Sequence, residues 1–219
     1  MFTHLFIAPA AEGKTAYALA RARQAGGSLA AVPRIVVASH LQARAARRRL
    51  AGMGGAIGVR VLTFDRLYLE LLDATGKVYV ELSEPVQYRL IRSLVDTLPL
   101  NYYAALVDRP GFVQVLGGLI AELKAARVHP DDFTAAVAEL GEEPRLAELA
   151  RVYAAYQGQL QAHGWADRAG LGWLALEALA TDTNSVARDW PQVIVDGFDS
   201  FTPIQIAVLQ ALARRAGEL

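Results

Sequence analysis

The chain of 219 residues is 53% hydrophobic and 20% charged, has a formal net charge of zero and contains no cysteine. Its length suits one large domain or two small ones, and its composition supports a substantial core and argues against disorder. The lack of cysteine excludes disulfides, thiolate nucleophiles and Cys-ligated metal clusters within these residues, and zero net charge means that any nucleic-acid contact needs a local patch. Four histidines, His4, His40, His129 and His163, are scattered without ligand spacing. No apolar run approaches the roughly 18 residues of a membrane span, and the start lacks the basic and apolar regions of a signal peptide. The expectation is a cytoplasmic protein with no membrane partner.

"THLFIA" is a short apolar run consistent with a buried parallel strand. "KTAYALARARQA" follows as a helix closed by Gly26 and Gly27. "RIVVAS" reads as a second strand and "HLQARAARRRLAGMGG" as a second helix. "VRVLTF" is a third strand, and "DRLYLELLDATG" a third helix opening on Asp65 as its cap. Strand–helix alternation at this spacing predicts a parallel α/β sheet. From Glu81 onward no strand is predicted for about a hundred residues, and five segments show helical apolar spacing. The first opens with Ser83 as cap and Pro85 in its first turn. "QVIVDGF" then restores the buried-strand pattern, and "TPIQIAVLQALARRA" is a final helix. The expected organisation is an α/β domain of residues 1–80 and 185–219 with a helical insertion, 81–184. Four strands make a small sheet, so a longer parent chain is expected.

The stretch "APAAEGKT", residues 8–15, nearly fits the phosphate-binding pattern G-x-x-x-x-G-K-[ST]. Strand, loop and helix are the context that pattern requires. Backbone N–H groups of the loop and helix N-terminus would cradle phosphates, Lys14 would neutralise them and the Thr15 hydroxyl would ligate Mg²⁺. Ala8 stands where glycine is wanted, at a cost of roughly 1 kcal/mol if φ must be positive. Pro9 removes a donor, and Glu12 puts a negative charge beside the site. The other reading is a strand–helix turn with an accidental Gly-Lys-Thr. A nucleotide site also needs an acidic residue at a neighbouring strand end, and Asp196 in "VIVDGFDSFTPIQ" stands there.

In these motifs the sequence resembles the first motor domain of superfamily 1 helicases of the UvrD/RecB type. More narrowly, it resembles the B component of AddAB-type ATP-dependent helicase–nucleases. The acidic motif of such motors reads approximately D-E-x-Q-D with a glutamine five residues on. Here Asp196 and Gln205 match, and Gly197 stands where the catalytic Glu belongs. "IVVASHLQARAARRRL", "VRVLTFDRLYLELL" and "VYAAYQGQLQAHGWADRAGLGWLALEAL" match further family segments in order, the last as Y-x-x-Y-x-x-x-[LM]-x-x-x-G-x-x-D. The resemblance implies an α/β fold with a P-loop NTPase-like parallel sheet flanked by helices and a large all-helical insertion. It implies a degenerate ATP and Mg²⁺ site built from Ala8, Ala11, Glu12, Gly13, Lys14, Thr15, Asp196 and Gln205, with Thr15 and Asp196 on the metal.

Without the Glu, hydrolysis is expected to be crippled, a positioned acid or base being worth about 10²–10⁴ in rate. The resemblance places Ser39, His40, Thr63 and Phe64 on a face that grips single-stranded DNA, although Phe64 also suits the core. Arg44, Arg47 and Arg48 share a helical face that is either solvated or touches phosphates. The implied partners are single-stranded DNA and an AddA-type subunit, and the implied process is double-strand-break repair and recombination. The family's exonuclease site lies in a separate C-terminal domain, outside these residues. The rival readings are a structural adaptor without ligand and, third, a stand-alone P-loop kinase.

Overall fold

A computed structural model describes residues 2–9, 11–27, 32–76, 79–141, 143–181 and 186–219. The chain divides into two compact units, one of residues 1–77 and 174–219, the other of residues 78–173. The residues on either side of the 184/185 boundary expected from the sequence lie outside the described ones.

The first unit is a parallel α/β layer. α1 (Lys14–Ala25), β1 (Arg34–Val37), α2 (His40–Gly52), β2 (Arg60–Leu62) and α3 (Phe64–Asp73) alternate along the chain. β5 (Val193–Asp196) and α9 (Pro203–Ala213) complete it. The sheet order is β2-β1-β5, all parallel, with Ile35 opposite Val61 on one side and Ile194 on the other. Every residue of β1 is buried, as a central parallel strand demands. Leu19 and Ala22 of α1 and Ala43, Ala46 and Leu50 of α2 cover one core against Ile35, Val37 and Val61. These positions recur at helical spacing, which is why the two alanine-rich helices hold their places. Gly26 ends α1, and a Cβ there would lie 2.8 Å from the Val59 side chain. At the start of β1, the Arg34 guanidinium lies over the Trp190 ring, 4.1 Å from its centroid, and pairs with Glu70. Burial lowers its pKa, and Glu70 opposes that shift.

Two expectations need correction here. "THLFIA" is not a strand: only Phe2 forms a bridge, parallel to Glu218, and residues 3–9 have no regular structure. A parallel strand exists only through its ladder, and the neighbour that Leu5 to Ile7 need is missing among the described residues. Leu5 and Ile7 are accordingly 84% and 86% exposed. The second concerns α3, whose cap residue is Thr63, with Asp65 inside the first turn.

The second unit is built from α4 (Glu84–Thr97), a 3₁₀ turn (Ala104–Leu106), α5 (Pro110–Ala125), α6 (Pro130–Glu139) and α7 (Pro144–His163). α8 (Leu171–Thr181) begins at its end. Four of these helices carry proline in the first turn, where its missing N–H costs nothing. Contrary to the sequence expectation, the unit contains strands: β3 (Val80–Glu81) and β4 (Trp165–Ala166) form a two-residue parallel ribbon. Pairs this short carry no periodicity signal. Ile91, Val113, Leu116, Ile120, Val152, Tyr153 and Tyr156 form the core.

That core encloses an ion pair. Lys124 and Asp167 are 0% and 1% exposed, and Lys124 Nζ donates to both carboxylate oxygens at 2.9 and 2.8 Å. Asp167 also accepts from Tyr156 Oη at 2.8 Å and from the Gly170 amide at 2.6 Å. Trp173 Nε1 donates to the Lys124 carbonyl, and Tyr153 Oη to the Val128 carbonyl. Gly164 closes α7 at φ 64°, a left-handed cap that suits glycine. Elsewhere in the unit, Glu148 accepts hydrogen bonds from the consecutive amides of Asn101, Tyr102 and Tyr103.

Candidate functional site

Ligands of open parallel sheets bind beyond the carboxyl ends of the strands, and the first unit gathers its candidate residues there. Ser39 follows β1, Thr63 follows β2, and Asp196 ends β5 opposite Val37. Gly13 is the N-cap of α1 at φ 82°, and no atom lies within 4 Å of where its Cβ would be. Glycine is needed there for conformation, since space is ample. Ala8 does not take a positive φ; Ala11 does, at 67°. The strain of roughly 1 kcal/mol expected at Ala8 therefore sits at Ala11.

The first α1 hydrogen bond runs from the Tyr17 amide to the Gly13 carbonyl at 2.9 Å. The amides of Lys14, Thr15 and Ala16 thus open the helix without intrahelical partners, a geometry that favours an anion. Glu12 is exposed beside them. Lys14 does not reach outward: its ammonium donates to the Ala8 carbonyl at 2.5 Å and the Pro9 carbonyl at 2.8 Å.

Lys14 and Asp196 line one cavity of about 430 Å³, together with Gly197 and Phe198. They do not stand on adjacent strands, as the sequence reading supposed. The Val193 amide donates to the Glu218 carbonyl, and Leu219 exchanges hydrogen bonds with Phe2 and His4. Residues 218–219 therefore lie between β5 and the N-terminal segment. Thr15 is half-buried and is not among the residues lining that cavity. Gln205 is outside it too, in a capping box in which its side chain accepts from the Thr202 amide and its amide donates to Thr202 Oγ1.

Ser39 caps α2 by accepting from the Gln42 amide at 3.2 Å, and His40 is exposed beside it. Phe64 is 5% exposed and packs edge-on against Phe198 and Phe201. The Thr63 hydroxyl is buried, with no hydrogen-bond partner among the described residues. Of this aromatic group, Phe201 is the exposed ring. Arg47 donates to the Val61 carbonyl at 2.7 Å, while Arg44 and Arg48 are exposed.

The sequence reading missed Gln42. Its Oε1 accepts from the Ala38 amide at 2.9 Å and its Nε2 donates to the Gly197 carbonyl at 3.3 Å, tying the ends of β1 and β5 together. Gly197 has φ 77°, and a Cβ there would lie 3.3 Å from Gln42 Nε2. The spacing Ser39-x-x-Gln42, an N-cap signature, was the available signal. Among the described residues, no group of three or more His, Asp or Glu side chains is arranged to hold a metal, and no helix is long and apolar enough to cross a membrane.

The fold and this site define a parallel α/β domain in which Lys14, at the start of α1, and Asp196, at the end of β5, line one cavity. The family model described as ADDB, N-terminal, matches residues 8–219. The chain is 31% identical over 227 residues to the B subunit of the ATP-dependent helicase/deoxyribonuclease of Moorella thermoacetica, covering 97% of this chain. The proteins of the same name from Symbiobacterium thermophilum and Acetivibrio thermocellus are 28% and 26% identical over 97% and 94% of this chain. The chain spans 19% of the length of each of these three relatives. It belongs to the ADDB N-terminal family.

Proposed function

We propose that this chain is the N-terminal, motor-like part of a helicase–nuclease subunit that acts in double-strand-break repair and recombination. Its first unit is a P-loop NTPase-like core with a degenerate ATP site, and residues 81–184 are a helical insertion subdomain. The observation that carries the reading is that Lys14 and Asp196, distant in sequence, line one cavity beside β5. The free amides at the start of α1 suit phosphate, with Ala8, Ala11, Glu12 and Gly13 forming the loop around it. Asp196 would hold Mg²⁺, a hard cation that takes few protein oxygens and several waters; the metal would neutralise phosphate charge. The Thr15 hydroxyl as a second ligand, and Gln205, stay in the proposed set through the resemblance alone.

Two features support weak binding and poor hydrolysis. Phosphate must draw Lys14 away from two loop carbonyls. Gly197 supplies no carboxylate beside Asp196, and Gln42 packs against it. Ser39, His40, Thr63 and Phe64 would form or support the single-stranded DNA face; Phe64 acts through packing, and the exposed Phe201 is the ring placed to meet a base. The names of the relatives, each the B subunit of an ATP-dependent helicase/deoxyribonuclease, support a DNA-acting complex of more than one subunit; an AddA-type partner and a cytoplasmic location are part of the proposal through the resemblance alone.

Titration with a fluorescent ATP analogue and Mg²⁺ tests this reading. Lys14→Ala is expected to weaken binding at least about tenfold, 1.4 kcal/mol. Equal signals from both proteins would remove the nucleotide claim. The closure of Lys14 onto its own loop favours one alternative, an adaptor without ligand. That reading gives no thermal stabilisation by Mg–ATP and no DNA binding.

A further inference from the structure

We propose that the outer face of α2, with Arg44 and Arg48 at its centre, is a phosphate-contact surface for duplex DNA, separate from the single-strand face at the strand ends. The inference rests on the DNA-acting reading above and adds a second contact to it.

Charge is balanced over the whole chain but not along α2. Arg44, Arg47, Arg48 and Arg49 stand on this 13-residue helix, which has no Asp or Glu. With zero net charge, only such a local patch can attract a polyanion. Among the described residues, Arg44, Arg48 and Arg49 have no carboxylate partner, whereas Arg21, Arg34 and Arg60 each have one. Arg47 is engaged differently, with its guanidinium on the Val61 carbonyl at 2.7 Å.

The helix geometry gathers the free guanidinium groups. Ala43, Ala46 and Leu50 bury one side of α2. Helical spacing puts Arg44 and Arg48 on the opposite side, one turn apart and in line with Leu41, and all three are exposed. Arg23, from the last turn of α1, reaches the far end of α2: a Cβ on Gly54 would lie 3.4 Å from its guanidinium. Ser39 caps α2 at the carboxyl end of β1. At 1.5 Å per residue, about 14 Å of helix separates Ser39 from Arg48, so the two surfaces are distinct.

A solvated helix face usually mixes charges of both signs, and α2 does not. Like charges at i and i+4 repel, so Arg44 and Arg48 cost stability that no acidic neighbour on the helix offsets. The helix dipole favours Arg49 in the last turn and gives Arg44, in the second turn, nothing. The helix also carries no Phe, Tyr or Trp, so it cannot stack unpaired bases as single-strand platforms do. Guanidinium groups without rings suit the feature that a duplex presents all along its surface, its phosphates.

Fluorescence anisotropy with a short labelled duplex, titrated between about 50 and 200 mM salt, tests the proposal. Arg44→Gln with Arg48→Gln is expected to weaken duplex binding at least about tenfold at the lower salt and to flatten the log–log salt slope by about two, one for each phosphate contact. Arg44→Lys with Arg48→Lys keeps the charge and is expected to keep the slope. Both variants are expected to melt no lower than the wild type, since the two side chains are exposed. Phosphates carry no sequence, so two unrelated duplexes are expected to lose equally. An unchanged slope in the Gln variant, a sequence-dependent loss, or a loss on single strands alone overturns the proposal. Phe201→Ala with a labelled single strand tests the strand-end face apart from α2. A loss there beside an unchanged duplex slope in the Gln variant keeps that face and removes the α2 surface; a flattened slope beside unchanged single-strand binding does the reverse. A wild-type protein that binds neither DNA removes both.

Discussion

Asp167→Asn is expected to be among the most destabilising polar substitutions in the second unit. The carboxylate receives both Lys124 bonds, the Tyr156 hydroxyl and the Gly170 amide, with both ion-pair partners shielded from solvent. Asparagine keeps the shape and one acceptor oxygen but leaves a buried ammonium without a counter-charge. Removing one partner of a buried pair costs about 3–5 kcal/mol. Trp173 sits in the same network, so urea melts followed by its emission in a Trp165→Phe, Trp190→Phe background read this unit directly. Lys124→Met in the Asp167→Asn background is expected to recover most of the loss, since the orphan charge is gone. The pH dependence gives an independent check. Burial already lowers the Lys124 pKa from its ordinary 10.5, and the charge and hydrogen bonds of Asp167 oppose that shift. Asparagine removes the opposing charge, so the folded value falls further. The folded state then binds fewer protons than the unfolded one, and stability rises with pH below 10.5. A loss under 1 kcal/mol, or one that grows as pH is raised, would refute the reasoning.

Glu148→Gln is expected to cost about 1–3 kcal/mol, because three backbone amides lose a charged acceptor. Burial raises the Glu148 pKa, but the amides of Tyr102, Tyr103 and Asn101, with Arg151, outweigh that and hold it below the ordinary 4.5. A depressed carboxylate stabilises the fold above its unfolded pKa and loses that contribution as pH falls, so the variant's acid melt below pH 4.5 should be flatter than that of the wild type. Gly197→Ala is expected to destabilise by about 1–2 kcal/mol, the left-handed penalty plus displacement of Gln42, in a denaturant melt. Gly164→Ala is expected to cost about 1 kcal/mol for the same conformational reason, with no crowding to add, because no atom lies within 4 Å of the new Cβ.

The helices were legible because their signals are local. α1 begins at the Lys14 and ends at the Ala25 read from glycine punctuation, and Ser83 and Pro85 marked the start of α4. β1, β2 and β5 were legible as short apolar runs. Features that depend on a distant partner were not. Lys124 gives no sign in "AELKAARV" that it will be buried, since its carboxylate is 43 residues away. The N-terminal run has strand composition, but a ladder is a property of two segments. The pattern from Tyr153 to Asp167, read through a family resemblance, has a structural basis in the second unit: Tyr156 and Asp167 share a hydrogen bond, and Gly164 turns the chain between them. Of the candidate site, the sequence singled out Lys14 and Asp196, which line one cavity, but could not show that β5 bonds to Glu218 on its other edge.

That last point changes how the cavity works. Its walls include Thr3 to Phe6 and Val193 to Asp196, so part of its volume runs along β5 rather than beyond its end. A nucleotide has only the part that Lys14, Asp196 and Gly197 line. Turning Lys14 toward phosphate there costs the two bonds from its ammonium to the Ala8 and Pro9 carbonyls, and a loop preorganised without them would bind more tightly.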